Sequence, residues 1–201
     1  MSRWLACLVG AWEISREKKG RMQMDMLLKA PATRKLITNE HVLGVTRHVL
    51  GPSCKRIALK ELSVFEVQPG QEKQKFHRED MFWPWHHEPH PWTTNLLWAI
   101  DDFTAANGGT NVVPYSHRST AYMRENGREM VDGNYGEDDI LRCSMPRGSC
   151  LLFTGGMIHG SGENQTDAGR KSLLSSYLLG WLRPEYKFWA HRGNGDAFSI
   201  C

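Results

Sequence analysis

The sequence predicts a mainly β fold, an antiparallel sandwich or barrel entered through one or two N-terminal helices. Three observations carry this. Short strand-like runs recur from Leu62 to Leu182, separated by Gly, Pro and Asn turns. The clearest helical period lies upstream of them, over Asn39 to Leu50. At 201 residues, with 40% hydrophobic and 23% charged positions, the chain suits one core of useful size. No repeat, low-complexity tract or linker divides it, so residues 1–201 read as a single domain.

The elements follow in order. Arg3 and the apolar run Trp4 to Trp12 faintly resemble a signal peptide, but no small-residue cleavage site precedes the charged stretch Glu13 to Lys19. The run is too short to span a membrane, and a packed helix or a poorly ordered end is the expectation. In the amphipathic helix Asn39 is the cap, Val42, Val45 and Val49 form the stripe, and Gly51-Pro52 is the stop. Strands are expected at Leu62–Val67, Thr93–Ile100 and Thr110–Pro114, the last after the turn Asn107-Gly108-Gly109. A polar helix is expected over Thr120–Met130, then strands at Ser149–Phe153, Met157–His159 and Ser172–Leu182.

Bulk properties narrow the function. A net charge of +3, scattered and without like-charge blocks, argues against nucleic acid, and no segment argues for a membrane. Cys7, Cys54, Cys143, Cys150 and Cys201 are odd in number and match no zinc or redox spacing, which favours a reduced, cytoplasmic setting. The triplet Asn164-Gln165-Thr166 matters only in a secreted protein. Oligomeric state is silent, with a homodimer left open.

The chemistry concentrates at Gln74-Lys75-Phe76-His77-Arg78-Glu79-Asp80. His77 and Glu79, two apart, point to the same side of an extended chain, so both reach one cation. Taken alone, His-x-Glu is more often a surface ion pair. His159, closing an apolar run, supplies a third donor. Two imidazoles and one carboxylate on one face of a metal leave the opposite positions open, as in non-haem Fe(II) oxygenases. Arg170, eleven residues on, has the guanidinium to clasp a dicarboxylate's far end, though a solvated surface Arg is its plainer reading. Ser161 lies within reach of the same dicarboxylate.

Gln74 to Pro184 resembles the phytanoyl-CoA dioxygenase family of Fe(II)/2-oxoglutarate oxygenases. The resemblance rests on Gln74-x-x-His77-Arg78-Glu79, Trp98-Ala99-Ile100-Asp101-Asp102-Phe103-Thr104 and Asn107-Gly108-Gly109-Thr110. It continues through Val113-Pro114-Tyr115-Ser116-His117-Arg118, the pair His159 and Arg170, and Gly180-Trp181-Leu182-Arg183-Pro184. It implies a double-stranded β-helix (a cupin-like jelly roll) with flanking helices. His77, Glu79 and His159 become the Fe(II) ligands, Arg170 the partner of the 2-oxoglutarate far carboxylate, and Gln74, Thr110 and Ser161 auxiliary contacts. The implied activity couples oxidative decarboxylation of 2-oxoglutarate by O₂ to hydroxylation, or a related C–H oxidation, of a small organic substrate.

Three departures stand out. The family's usual Asp is Glu79 here, with Asp80 beside it as a competing ligand. Tyr115 replaces the Gly expected in the Pro-Gly-Ser-His turn. The chain is also shorter than most members, as if truncated at one or both ends. The aromatic segment Met81 to Trp92 suggests a pocket wall and a fairly apolar substrate. His86, His87 and His90 within it read as surface-loop residues before a second metal cluster, and His117 as a turn residue before a substrate contact. Two other readings compete. A zinc hydrolase would carry His-Glu-x-x-His on a helix, which this chain lacks. A degenerate member of the fold would serve as a binding subunit for an active partner.

Overall fold

The computed structural model describes residues 13–14, 20–82, 90–118, 123–125, 128–130 and 135–184. The apolar run Trp4 to Trp12 lies outside them. In chain order the elements are β1 (Glu13–Ile14), β2 (Arg21–Gln23), α1 (Met26–Lys29), α2 (Arg34–Ile37), α3 (Glu40–Leu50) and β3 (Ile57–Val67). There follow β4 (Thr93–Ala99), β5 (Thr110–Val112), β6 (Met123–Glu125), β7 (Arg128–Met130), β8 (Leu141–Arg142), β9 (Cys150–Thr154), β10 (His159–Ser161) and β11 (Arg170–Leu179).

Helix α3 starts as its sequence dictates, with the Asn39 side chain accepting from the His41 and Val42 N–H groups at 3.1 and 3.2 Å. Its buried stripe differs from the expected one. Val42, Leu43, Thr46 and Leu50 face inward, while Val45 is exposed. Thr46 holds the inward position because its hydroxyl meets that of Thr94 at 3.3 Å.

Two antiparallel sheets form the body. The larger runs β1-β2-β3-β11-β4-β9 and the smaller β10-β5-β8, with every pairing antiparallel. Strand β11 is central, so it must be apolar or satisfied on both faces. One face carries Leu173 and Tyr177, packed with Leu62, Val64 and Leu96 under Leu27, Ile37 and Leu43 of the helices. Each such buried aliphatic side chain contributes roughly 1.5–3 kcal/mol. Tyr177 completes the layer by donating to the Ile37 carbonyl at 2.6 Å.

The other face of β11 shows Ser172, Leu174 and Ser176 and looks at the smaller sheet. Register puts Phe65, Ser63 and Glu61 of β3, and Ala99, Leu97 and Asn95 of β4, on that same side. Phe153 of β9 bridges the gap, its ring 4.5 Å from that of His159 in β10. Two facing antiparallel sheets with helices on the outer side make the double-stranded β-helix the resemblance implied.

Several boundaries moved. Strand β3 begins at Ile57 rather than Leu62, and β11 spans Arg170–Leu179 rather than Ser172–Leu182. Just past β11 the Gly180 N–H donates to the Arg56 carbonyl at 2.8 Å, an approach open to glycine because a Cβ there would lie 2.3 Å from that oxygen. The strand expected at Met157–His159 is His159–Ser161. Where residues of the helix expected over Thr120–Met130 are described, they form the antiparallel pair β6–β7, with Arg124 opposite Glu129 and Glu125 opposite Arg128. Residues 120–122 and 126–127 lie outside the described residues. Asn164 of the sequon is fully buried and donates to the Val67 and Ala168 carbonyls at 2.9 Å each, so its role is structural.

Tyr115, where a Gly was expected, adopts φ 63° and leaves its side chain 71% exposed. The turn itself is intact, with the Arg118 N–H on the Tyr115 carbonyl at 3.0 Å. A left-handed conformation costs a residue with a Cβ about 1–2 kcal/mol, and glycine's extra unfolded-state entropy offsets part of this. Tyr115→Gly should therefore raise stability by roughly 0.5–1 kcal/mol. A higher urea midpoint at unchanged slope is the expected result.

Candidate metal centre

The segment ending in His77 runs antiparallel beside β10. The Gln74 N–H meets the Ser161 carbonyl at 2.9 Å, and His77 and His159 exchange both backbone bonds at 3.0 Å. Residues that exchange both bonds sit directly opposite each other with side chains on one face. The two imidazoles therefore converge, their centroids 4.4 Å apart. Each ring is fixed from behind: His77 Nδ1 lies 3.1 Å from the Lys75 carbonyl oxygen and His159 Nδ1 lies 3.0 Å from that of Met157. A carbonyl accepts only, so Nδ1 carries the proton in both rings and Nε2 offers its lone pair.

After His77 the chain turns. Both the Glu79 and Asp80 N–H groups donate to the Gly155 carbonyl, at 2.9 and 3.2 Å, where a 3-10 turn over Glu79–Phe82 begins. That turn separates two adjacent carboxylates. Glu79 Oε1 lies 3.7 Å from the Nε2 of both His77 and His159. Ligand atoms of these three residues all fall within 4.8 Å of one another, the one such group among the described residues. Asp80 points the other way, accepting from the Thr93 hydroxyl at 2.8 Å and the Trp92 N–H at 3.4 Å. Burial pushes its carboxyl up to about 6, against the pull of those two hydrogen bonds. The structure thus brings Glu79, and not Asp80, to the two histidines.

One residue here went unseen in the sequence. Lys60, in β3, is 1% exposed and sets its Nζ 3.0 Å from Glu79 Oε2. Burial opposes ionisation of Glu79, but the Lys60 ammonium, with His159 and His77, holds its carboxyl well below the usual carboxylate range.

Arg170 stands at the other end of the inward row. Register places Ser161 beside Thr110 and His159 beside Val112, so Ser161 and Thr110 share the face of His159. The path continues to Gly108, whose carbonyl accepts from Arg170 Nη2, while Nη1 reaches the Ser172 hydroxyl at 3.1 Å. Gly108 has φ +78°, and a Cβ there would lie 2.9 Å from both the Gly162 carbonyl oxygen and Val67 Cγ1. Only glycine presents that carbonyl so closely. The guanidinium lies 4.1 Å over the Phe103 ring, and its Nε is buried without a partner. Burial lowers its pKa to about 10, which still leaves it cationic at neutral pH.

The remaining sequence candidates fall as follows. Gln74 uses its side-chain oxygen on the Ser161 N–H at 3.1 Å, a contact that locks the register of the two histidine segments. His117 is exposed in the turn Ser116–Arg118. Trp92 belongs to the core, its ring 5.5 Å from that of Trp181, so it is no pocket wall. His90 is exposed, and residues 83–89, with His86 and His87, lie outside the described residues.

The phytanoyl-CoA dioxygenase (PhyH) family matches residues 10–172. The multifunctional dioxygenase prhA of Penicillium brasilianum is 33% identical over 130 residues, covering 62% of this chain and 42% of prhA. Dioxygenase FUM3 of Gibberella moniliformis is 34% identical over 160 residues, covering 75% of this chain and 49% of FUM3. The chain thus spans about half the length of these curated relatives. Among solved structures, the epimerase SnoN in complex with Fe3+, alpha ketoglutarate and nogalamycin RO superposes with a TM-score of 0.68 at 16% identity. That match covers 88% of this chain and 70% of SnoN and is a likeness of fold.

Proposed function

The chain belongs to the phytanoyl-CoA dioxygenase family, and on that premise we propose that it is an Fe(II)- and 2-oxoglutarate-dependent oxygenase. The observation that carries the reading is the convergence of His77, Glu79 and His159, with both imidazoles tautomerically set to offer Nε2. Two nitrogens and one carboxylate oxygen on one side suit Fe(II) with open positions opposite. The orphaned Nε of buried Arg170 suits the far carboxylate of 2-oxoglutarate. Both ends of the proposed site therefore fit the groups the family uses.

In this reading His77, Glu79 and His159 hold iron. Arg170 fixes the far end of the co-substrate, and the Thr110 and Ser161 hydroxyls lie along the face between. Gln74 keeps the two histidine segments in register. With O₂ and 2-oxoglutarate, iron so held supplies the oxidising power for attack on a C–H bond, hydroxylation being the default outcome. The protein's part is orientation and exclusion of water, with Phe153 against the His159 ring and Phe103 beneath Arg170. The substrate is a small organic molecule. The free thiols Cys54, Cys143 and Cys150 support a reducing, cytoplasmic setting, and no helix among the described residues is long and apolar enough to cross a membrane.

Anaerobic titration of the protein with Fe(II) and then 2-oxoglutarate tests the reading. A visible charge-transfer band that saturates at one equivalent is the expected result; its absence defeats the proposal. Arg170→Gln should leave Fe(II) binding in place but weaken 2-oxoglutarate about a hundredfold, since losing one partner of a buried, hydrogen-bonded charge pair costs about 2–5 kcal/mol. Both affinities come from the same two-stage titration.

A further inference from the structure

Strands β3 and β11 pair residue for residue from Val67 with Arg170 to Glu61 with Ser176, and then the register slips past Lys60, so that Tyr177 meets Leu59. Strict alternation from Glu61 would aim Lys60 at the helix-covered face, among Leu59 and Leu62. A bulge adds a residue and re-aims a side chain. Here it delivers an ammonium to Glu79 Oε2 at 3.0 Å, while Oε1 keeps equal distances of 3.7 Å to both histidine Nε2 atoms. The two carboxylate oxygens are thereby divided between two cation positions.

The division matters because position 79 holds Glu. Its longer side chain has the reach to bring both oxygens onto one metal ion, which would occupy one more position of the octahedron. A chelating co-substrate and O₂ need every position that a one-oxygen ligand leaves open. We infer that Lys60 is a positioning residue that holds Glu79 to one metal bond, and so preserves an open coordination position in a site where Glu stands in for the shorter Asp. The inference rests on the iron-site reading above. Lys60 touches the ligand, so its proposed effect on the metal travels through Glu79.

The test uses Co(II), whose visible spectrum reports coordination number, followed by 2-oxoglutarate. If the parent protein takes up no Co(II), the iron-site reading itself fails. If it does, Lys60→Met should still bind Co(II), with a spectrum shifted by the extra ligand oxygen, and should bind 2-oxoglutarate about tenfold or more weakly. In a Glu79→Asp background the carboxylate retracts from Lys60, and the same Lys60→Met change should alter 2-oxoglutarate binding less than about threefold. An unchanged spectrum and 2-oxoglutarate affinity in Lys60→Met overturns the inference. So does an equal loss in both backgrounds, which marks Lys60 as part of the fold alone. Should Lys60→Met not fold, judged by thermal melting of the metal-free protein, Lys60→Gln is compared across the same two backgrounds.

Discussion

Glu79→Ala is expected to abolish the visible band of the Fe(II) chelate and to weaken metal binding by at least about a hundredfold, while Asp80→Ala leaves both in place. The asymmetry follows from the turn at Gly155. It sends Glu79 Oε1 to within 3.7 Å of both imidazole nitrogens and Asp80 back onto Thr93 and Trp92. Removing Glu79 does more than delete a ligand. It leaves the buried Lys60 ammonium facing the metal position without the Glu79 carboxylate, adding cation repulsion to the lost bond. Asp80→Ala instead deprives the Thr93 hydroxyl and Trp92 N–H of an acceptor, at about 1–3 kcal/mol for groups left unsatisfied. Relief of a carboxyl whose pKa burial has raised to about 6 offsets part of that at neutral pH, so a net loss of about 1 kcal/mol is expected. Metal titration and thermal melting of the two variants separate these effects, and the opposite pattern would make Asp80 the ligand.

How much of this was legible in the sequence depends on how local each cause is. Alternation along an extended chain pointed to His77 and Glu79 together, although the structure aims Glu79 by a turn on the Gly155 carbonyl that begins at Glu79 itself. The cap at Asn39 was readable because it is local, its acceptor serving N–H groups two and three residues away. What failed were features decided across the fold. Strand β3 was read from Leu62 because Lys60 and Glu61 interrupt the apolar pattern; those charges face inward beside the candidate metal centre. A Lys-Glu pair within an apolar run is the signal that could have exposed Lys60. Val45 fits the stripe of α3 by period, yet the underlying sheet offers Thr94 to Thr46 instead. Over Met123–Glu125 and Arg128–Met130 the expected helix gives way to strand pairing, a non-local contact that the local polar pattern does not announce. Trp92 sits in the core and not in a pocket wall, because aromatic density along the chain does not say which face of a sheet a ring covers.

Gly155 yields the second large prediction, because three constraints meet there without any side chain. Its carbonyl accepts the N–H groups of Glu79 and Asp80, and its own N–H donates to the Thr93 carbonyl at 2.9 Å. A Cβ at this position would lie 1.9 Å from Asp80 Oδ1 and 2.0 Å from the Thr93 hydroxyl, far inside contact distance. Neither neighbour yields easily, since each is buried and hydrogen-bonded to the other. Gly155→Ala should therefore push the Glu79 turn away from β9 and cost about 3 kcal/mol or more, at the upper end of overpacking changes. For a chain of this size that is roughly a 6–12 °C fall in melting temperature. Metal affinity should fall with it, since Glu79 is placed by the same backbone bonds. Adding Asp80→Ala to Gly155→Ala removes one of the two clashing groups, and the double variant should be more stable than the sum of the singles predicts by about 1 kcal/mol or more. Strict additivity in that cycle would mean the Asp80 side chain is not what the new methyl group meets, and the turn that separates Glu79 from Asp80 would need a different cause.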